Sequence, residues 1–334
     1  MADPAVQKGL QRWFHIASLI ALWVAFASTV CAPLMQYVWL LDLLTQFRVY
    51  WIPVTLALAV LFLCWRKKGT ALVALGTCLF CITSLWRYSF AANPIPPDMP
   101  VLRVIAYNLR SSDRDATEIV EYLKAQSADV IILIEVKASW LRKLGELRSL
   151  YPHEIAETRP GAQGMWLLSR YPLRMVDADG ISTAQRYPYI STIIDTQSGP
   201  VRFVGVHPSV PISLRGARTR NAQFVTFADI ARRSTDPTIL AGDFNCTPFS
   251  GHFRRMLGDG GLRDSAIGFG FRNTWHRDIS FLPIDHVLIS EGIGVSKHTI
   301  GPQMGSDHHP LVVDLHLPSA NRNSTQPRPH PTPQ

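Results

Sequence analysis

Acids, amides and imidazoles stand at the ends of apolar runs in the second two-thirds of this chain. Asn108 follows residues 101–107 and Glu135 closes residues 129–136. His207 ends residues 201–207, and Asp243 and Asn245 follow residues 238–242. Asp285 precedes residues 287–289, and His308 precedes residues 311–315. A buried strand avoids such groups unless they are paired or bind something. Asp243-Phe244-Asn245 puts an acid and an amide on one face of an extended segment. Asp285-His286 and Ser306-Asp307-His308 supply an acid–imidazole pair, in which one Asp orients a His that exchanges a proton with water or an oxyanion. Oxygen donors without a Cys/His cluster favour Mg²⁺ or Mn²⁺ over zinc. Each residue also has a plain structural reading: Asn108 as a turn cap, Asp285 as a strand-end acid, His207 as a satisfied core histidine.

The elements that must position these groups are mostly strands. Residues 101–107, 129–136, 164–169, 174–176, 189–195, 201–207, 238–242, 287–289 and 311–315 carry β-type apolar patterning. Residues 113–126, with Asp113 as N-cap, 139–150 and 215–233 carry helical spacing. Strands outnumber helices, so the expected architecture is two sheets packed face to face with helices outside, and not a doubly wound parallel sheet. Trp275, within Phe271-Arg272-Asn273-Thr274-Trp275-His276, is expected in the core. Arg215, Arg218 and Arg220 open the last helix, and Arg220 is the candidate phosphate contact among them. Cys246 stands alone in this half, which therefore folds without an internal disulfide.

The first 90 residues follow another physical regime. Residues 16–41, 49–65 and 69–86 are nearly uncharged and long enough, or barely so, to cross a bilayer as helices. Trp and Tyr residues gather near their ends, as in an interfacial belt. Three successive runs do not fit a cleaved signal peptide. Lys8 and Arg12 share a side with Arg66, Lys67 and Lys68, so the positive-inside rule puts that side in the cytoplasm and the long C-terminal domain outside it. Half of the net charge of +8 falls in residues 1–99, which weakens it as a nucleic-acid signal. The expected organisation is a three-span membrane region at 1–90, a Pro-rich linker at 91–100, a catalytic domain at 101–318 and a disordered tail at 319–334.

The strings VIAYNLR, DVIILIEV, VGVHP, LAGDFNCTP, IDHVLIS and SDHHPLVV resemble, in order, the successive motifs of the endonuclease/exonuclease/phosphatase superfamily. The resemblance implies an α/β four-layer sandwich, two packed mixed sheets flanked by helices, here preceded by three transmembrane helices. It implies a metal-dependent hydrolase of phosphate esters with Mg²⁺ or Mn²⁺. By motif, Glu135 resembles the principal metal ligand, Asn108 its neighbour on the metal or a phosphate oxygen, and Asp307 a second metal-side carboxylate. Asp243 resembles the residue that orients or deprotonates the attacking water, and Asn245 a phosphate-positioning amide. His308 matches the imidazole held by Asp285, and His207 a second histidine on the phosphoryl oxygens. His309 has no assigned role.

One departure concerns partners. His207 sits in Val206-His207-Pro208, where nuclease members carry a Thr-His-Leu-like string. With the apolar spans, this is similar to a membrane-anchored subset that includes the glycopeptide-resistance membrane proteins. The implied partners are a phosphate-ester substrate and the membrane lipid bilayer. Nucleic acid is the less favoured substrate, because no basic strip with interleaved aromatics appears. The alternatives are a membrane-tethered nuclease and a catalytically inactive module that binds a phosphorylated ligand.

Overall fold

The computed structural model describes residues 4–30, 38–90, 99–110, 115–158, 161–175, 188–278 and 280–318. Helices α1 (Pro4–Thr29), α2 (Trp39–Thr45), α3 (Arg48–Cys64), α4 (Lys68–Thr83) and α5 (Trp86–Phe90) form the N-terminal part. Two stretches, within α1 and across α4 and α5, are long and apolar enough to cross a membrane. The pair α2–α3 makes a third if counted as one span, but it is bent by 81°. This revises the expected first span at 16–41. Its helix ends at Thr29, residues 31–37 lie outside the described residues, and Trp39 begins a separate helix. Leu22, Leu58, Ala59, Phe62, Ala71 and Ala74 pack the helices together. Small residues at such contacts let helix backbones approach closely. Leu56, Val60, Leu63, Leu72, Leu75 and Leu79 face outward, as lipid-facing positions do and as water-facing ones rarely do.

The remaining elements run β1 (Val101–Asn108), α6 (Thr117–Gln126), β2 (Val130–Ile134), α7 (Ala138–Lys143), a 3₁₀ turn, β3 (His153–Glu157), β4 (Met165–Ser169) and β5 (Leu173–Met175). There follow β6 (Tyr189–Thr196), β7 (Gly199–Val206), α8 (Leu214–Arg233), β8 (Thr238–Asp243), α9 (Gly251–Gly260) and β9 (Leu262–Asp264). The series ends with β10 (Trp275–Arg277), β11 (Ser280–Leu282), β12 (Asp285–Ser290), β13 (Gly294–Ile300) and β14 (Leu311–His316). One mixed sheet has the order β13-β14-β1-β2-β4-β3 and the other β5-β6-β7-β8-β12-β9. Each contains one parallel pair, β1 with β2 and β7 with β8. A helix, α6 or α8, makes each crossover, as parallel neighbours require.

Period-two alternation builds the layers. In β1, Val104 and Ala106 enter the core between the sheets with Ile132, Phe203, Ile239 and Val287. The intervening Ile105 and Tyr107 turn outward onto Ile119, Leu123 and Trp140. The second sheet does the same: Val204, Val206 and Leu240 meet Phe224, Phe227 and Phe253 on α8 and α9. Helix layer, sheet, sheet and helix layer follow directly, as the two-sheet expectation required.

Sequence patterning misses β3, β9, β10, β11, β13 and α9. Expected helix 113–126 begins at Thr117, and its proposed cap Asp113 lies outside the described residues. Most of the 91–100 linker and the 319–334 tail lie outside them too.

Candidate active site

The C-terminal ends of both parallel pairs meet at one end of the sandwich. Asn108 ends β1, Glu135 follows β2, His207 follows β7 and Asp243 ends β8. The antiparallel strands enter there from the opposite direction: Asp285 starts β12 directly across from Asp243, and His308 lies just before β14. This is why residues so distant in sequence converge. Gly242 lets the last turn of β8 lie against β7, since a Cβ there would stand 2.0 Å from the Val206 carbonyl oxygen. Glu135 and Asn245 adopt left-handed φ of 61° and 49°, a conformation that non-glycine residues enter at some energetic cost. Each turns a side chain out of its strand path into the site.

Asp243 is the hub. Its Oδ2 accepts from Asn108 Nδ2 at 2.9 Å. His308 Nε2 lies 3.6 Å and His207 Nε2 3.7 Å from the same oxygen. Its Oδ1 accepts from the Asn245 backbone N–H at 2.8 Å. Asn108 Nδ2 also donates to Glu135 Oε1 at 3.1 Å, so one amide ties two carboxylates together. His308 Nδ1 lies 2.9 Å from Asp285 Oδ2. The Ser306 hydroxyl donates to the Asn108 carbonyl at 2.8 Å and accepts from the His308 N–H at 3.1 Å, which fixes the loop carrying His308 to the end of β1.

Electrostatics follow from burial. Removing His308 from water opposes its charging, but Asp285 and then Asp243 outweigh this and raise its pKa to about 9. Burial pushes the Asp243 pKa upward; Asp285 adds to that, while His308 and His207 oppose it.

A cavity of about 650 Å³ opens over these groups. Glu135, His207, Asp243, Asn245, Asp307 and His308 line it, together with Arg110, Gln163, Trp275 and Arg277. Four carboxylates, Glu135, Asp243, Asp285 and Asp307, stand at this end of the fold. The Oδ1 atoms of Asp285 and Asp307 are buried without a hydrogen-bond partner. An oxygen-rich, anion-heavy donor set of this kind fits a divalent cation. Among the described residues, ligand atoms converge within 4.8 Å for Asp243, Asp285 and His308. Asp285 is already committed to the His308 ring, so that trio is an acid–imidazole chain as much as a cation cradle.

The expected residues come together with three differences. Arg220 is corrected: its guanidinium is fully buried on α8 and bonded to Asp42 at 2.7 Å, and it does not line the cavity, because α8 turns it inward against the N-terminal helix α2. Asn108 offers its nitrogen to the carboxylates, while its oxygen accepts from the Arg110 N–H at 2.8 Å. Its amide thus lies between Glu135 and Asp243 and ties the two carboxylates together. His286 pairs with Asp264 at 3.3 Å, and not with the neighbouring Asp285, since adjacent strand residues face opposite ways.

Trp275, expected in the core, is half-buried and lines the cavity. Arg110 and Arg277 are cavity cations that the sequence does not single out. Arg110 Nε lies 3.8 Å from Asp307 Oδ1. Only its position two residues beyond Asn108 could have signalled it.

Two mixed sheets that end in an acid–imidazole–carboxylate cluster define a metal-dependent hydrolase of phosphate ester bonds. The chain belongs to the Endonuclease/Exonuclease/phosphatase family, whose model matches residues 105–308. No curated protein matches it by sequence. Among solved structures, it is similar to TDP2 of D. rerio complexed with single strand DNA product. That match has 16% identity and a TM-score of 0.54, and it covers 65% of this chain and 99% of that one. An endonuclease/exonuclease/phosphatase from Beutenbergia cavernae matches at 21% identity and TM-score 0.52, covering 65% and 72%. The 3' phosphatase NExo from Neisseria, bound to product DNA hairpin, matches at 16% and 0.51, covering 64% and 98%. At these identities the likeness concerns the fold.

Proposed function

We propose that this chain is a membrane-anchored phosphoesterase that hydrolyses a lipid-linked phosphate ester on the extracytoplasmic side, using Mg²⁺ or Mn²⁺. The observation that carries the chemistry is Asp243, buried between the imidazoles of His207 and His308 and tied through Asn108 to Glu135.

Glu135 and Asp307 would hold the cation, with Asn108 keeping Glu135 in place. Bound there, it supplies positive charge to the non-bridging phosphate oxygens. Asp243 orients the attacking water and accepts its proton. The water oxygen forms the new bond to phosphorus as the ester P–O bond breaks in line, and the leaving oxygen departs with the bonding pair. Asn245 and His207 position the phosphoryl oxygens. His308, kept protonated by Asp285, hydrogen-bonds the transferring group.

The membrane reading is supported by the apolar helices and by the cationic turn at Arg66, Lys67 and Lys68. A reporter fused after Gln334 is expected to work only outside the cytoplasm; function only inside it would contradict the topology. DNA in the solved relatives favours the nuclease as the second reading. Purified full-length protein with Mg²⁺, offered a lipid pyrophosphate, a phospholipid panel and plasmid DNA side by side, distinguishes the two. Hydrolysis of a lipid substrate with weak salt dependence supports the proposal, whereas plasmid cleavage with steep salt dependence favours the nuclease.

A further inference from the structure

The membrane helices do more than stand beside the catalytic domain. Leu43, Gln46 and Phe47, from α2 and the bend that follows it, line the same cavity as His207, Asp243 and His308. The membrane region thus supplies part of the catalytic cavity's wall. Polar contacts fix that wall in place. Gln46 Oε1 accepts from the Thr247 N–H at 2.6 Å, two residues beyond Asn245. Asp42 Oδ1 accepts from the Ser250 hydroxyl at 2.8 Å.

The loop between β7 and α8 completes the apolar side. Val210, Pro211 and Ile212 line the cavity. Ile212 is 74% exposed, Val210 43% and Leu214 42%. Val210 and Ile212, two large apolar side chains left in water at the cavity's rim, form the kind of patch that marks an apolar ligand or a membrane surface. The cavity therefore has two chemical ends. One holds the carboxylates and imidazoles with Arg110, and the other holds Leu43, Phe47 and the Val210–Ile212 turn.

Resting on the phosphoester-hydrolase reading, we infer that the α2–α3 bend and the 210–212 loop form a binding groove for the apolar chain of a lipid-borne phosphate ester. The phosphate sits at Asp243 while the chain leaves between these two walls toward the bilayer. An amphiphile matches both ends, with a single anionic group and a continuous hydrocarbon. A nucleic acid would bring phosphates along its whole length onto Leu43, Phe47 and Ile212, apolar side chains that offer a phosphate no partner.

The test uses full-length protein in detergent with alkyl phosphates, dodecyl against ethyl, each offered as the monoester and as the para-nitrophenyl diester. Ile212→Ser changes an exposed side chain and Phe47→Ala truncates the apolar wall contributed by the α2–α3 bend. Each should lower the ratio of kcat/KM for dodecyl over ethyl substrate by about tenfold, mainly through KM. A circular-dichroism melt matching wild type for Ile212→Ser separates this effect from misfolding. An unchanged dodecyl-to-ethyl ratio in Ile212→Ser would overturn the groove while leaving the hydrolase reading intact. Plasmid cleavage that falls with Ile212→Ser while alkyl phosphates are spared would assign the groove to nucleic acid instead. Failure of wild-type protein to hydrolyse either chain length, with metal supplied, would overturn the hydrolase reading and the groove with it.

Discussion

Asp42, in the short N-terminal helix α2, lies 2.7 Å from Arg220 on α8, and both side chains are buried. Arg220 also donates to Asn221 Oδ1 and stacks over Phe224. The pair locks the N-terminal helices onto the helix that links β7 to β8, the two strands delivering His207 and Asp243. Removing one partner strands the other's charge away from water. Asp42→Asn should therefore destabilise the protein by about 3–5 kcal/mol. The double change Asp42→Leu with Arg220→Met should recover much of that loss, because neither member of the pair is then left as an unpaired buried charge. Thermal melts of the detergent-solubilised variants check this, and a harmless Asp42→Asn would mean that the pair does not hold the two parts together.

Asp285 and His308 should behave as one catalytic unit. His308→Ala should lower kcat by about two orders of magnitude or more. Asp285→Asn should act in the same direction, since an amide can hold the ring but not stabilise its charge. The double variant should lose scarcely more than His308→Ala alone. Losses that add in this cycle would show that the 2.9 Å contact is not coupled to turnover.

A separate buried histidine sets an acid limit on stability. Burial lowers the His298 pKa from 6.5 to about 4, against the pull of Asp264 and with help from His286 and Arg272. Between those values the unfolded chain binds a proton that the folded chain does not. The stability His298 contributes is thus complete above its unfolded pKa and is lost as pH falls toward about 4. A shift of this size corresponds to about 3 kcal/mol. His298→Asn can keep a hydrogen bond to Ser265, which lies 3.1 Å from Nδ1, without titrating. Its Tm should fall less than that of wild type between pH 7 and pH 5, and equal falls would remove His298 as the cause.

The candidate site residues were legible because each breaks a local rule. Asn108, Glu135, Asp243 and His308 are polar groups at the ends of otherwise apolar strands, where burial without a partner is costly. The two-sheet packing was legible from the same strands. Residues whose role depends on tertiary direction were not. Arg220 and Arg218 look alike in sequence, yet α8 turns the first inward to Asp42 and leaves the second exposed. Edge strand β3, His-Glu-Ile-Ala-Glu, has an exposed face and little apolar signal. The 81° bend between α2 and α3 falls at Gln46 and Phe47, in the polar break between two expected spans, where the sequence marks a connection but not its angle. That bend is also what brings Leu43 and Phe47 to the cavity, so the link between membrane and site was invisible until the chain was folded.

The central claim is that Asp243 activates water for metal-dependent attack on a phosphate ester. Its most direct test measures hydrolysis of that ester by wild type and Asp243→Asn across a titration of Mg²⁺ into chelator-treated protein. Wild-type activity should vanish with chelator and return with Mg²⁺ or Mn²⁺. Asp243→Asn should stay at least about a hundredfold slower in kcat at saturating metal. Glu135→Gln, in the same titration, should instead raise the metal concentration needed for half-maximal rate. Turnover that survives exhaustive chelation, or an Asp243→Asn variant that matches wild type at saturating Mg²⁺, would contradict the account.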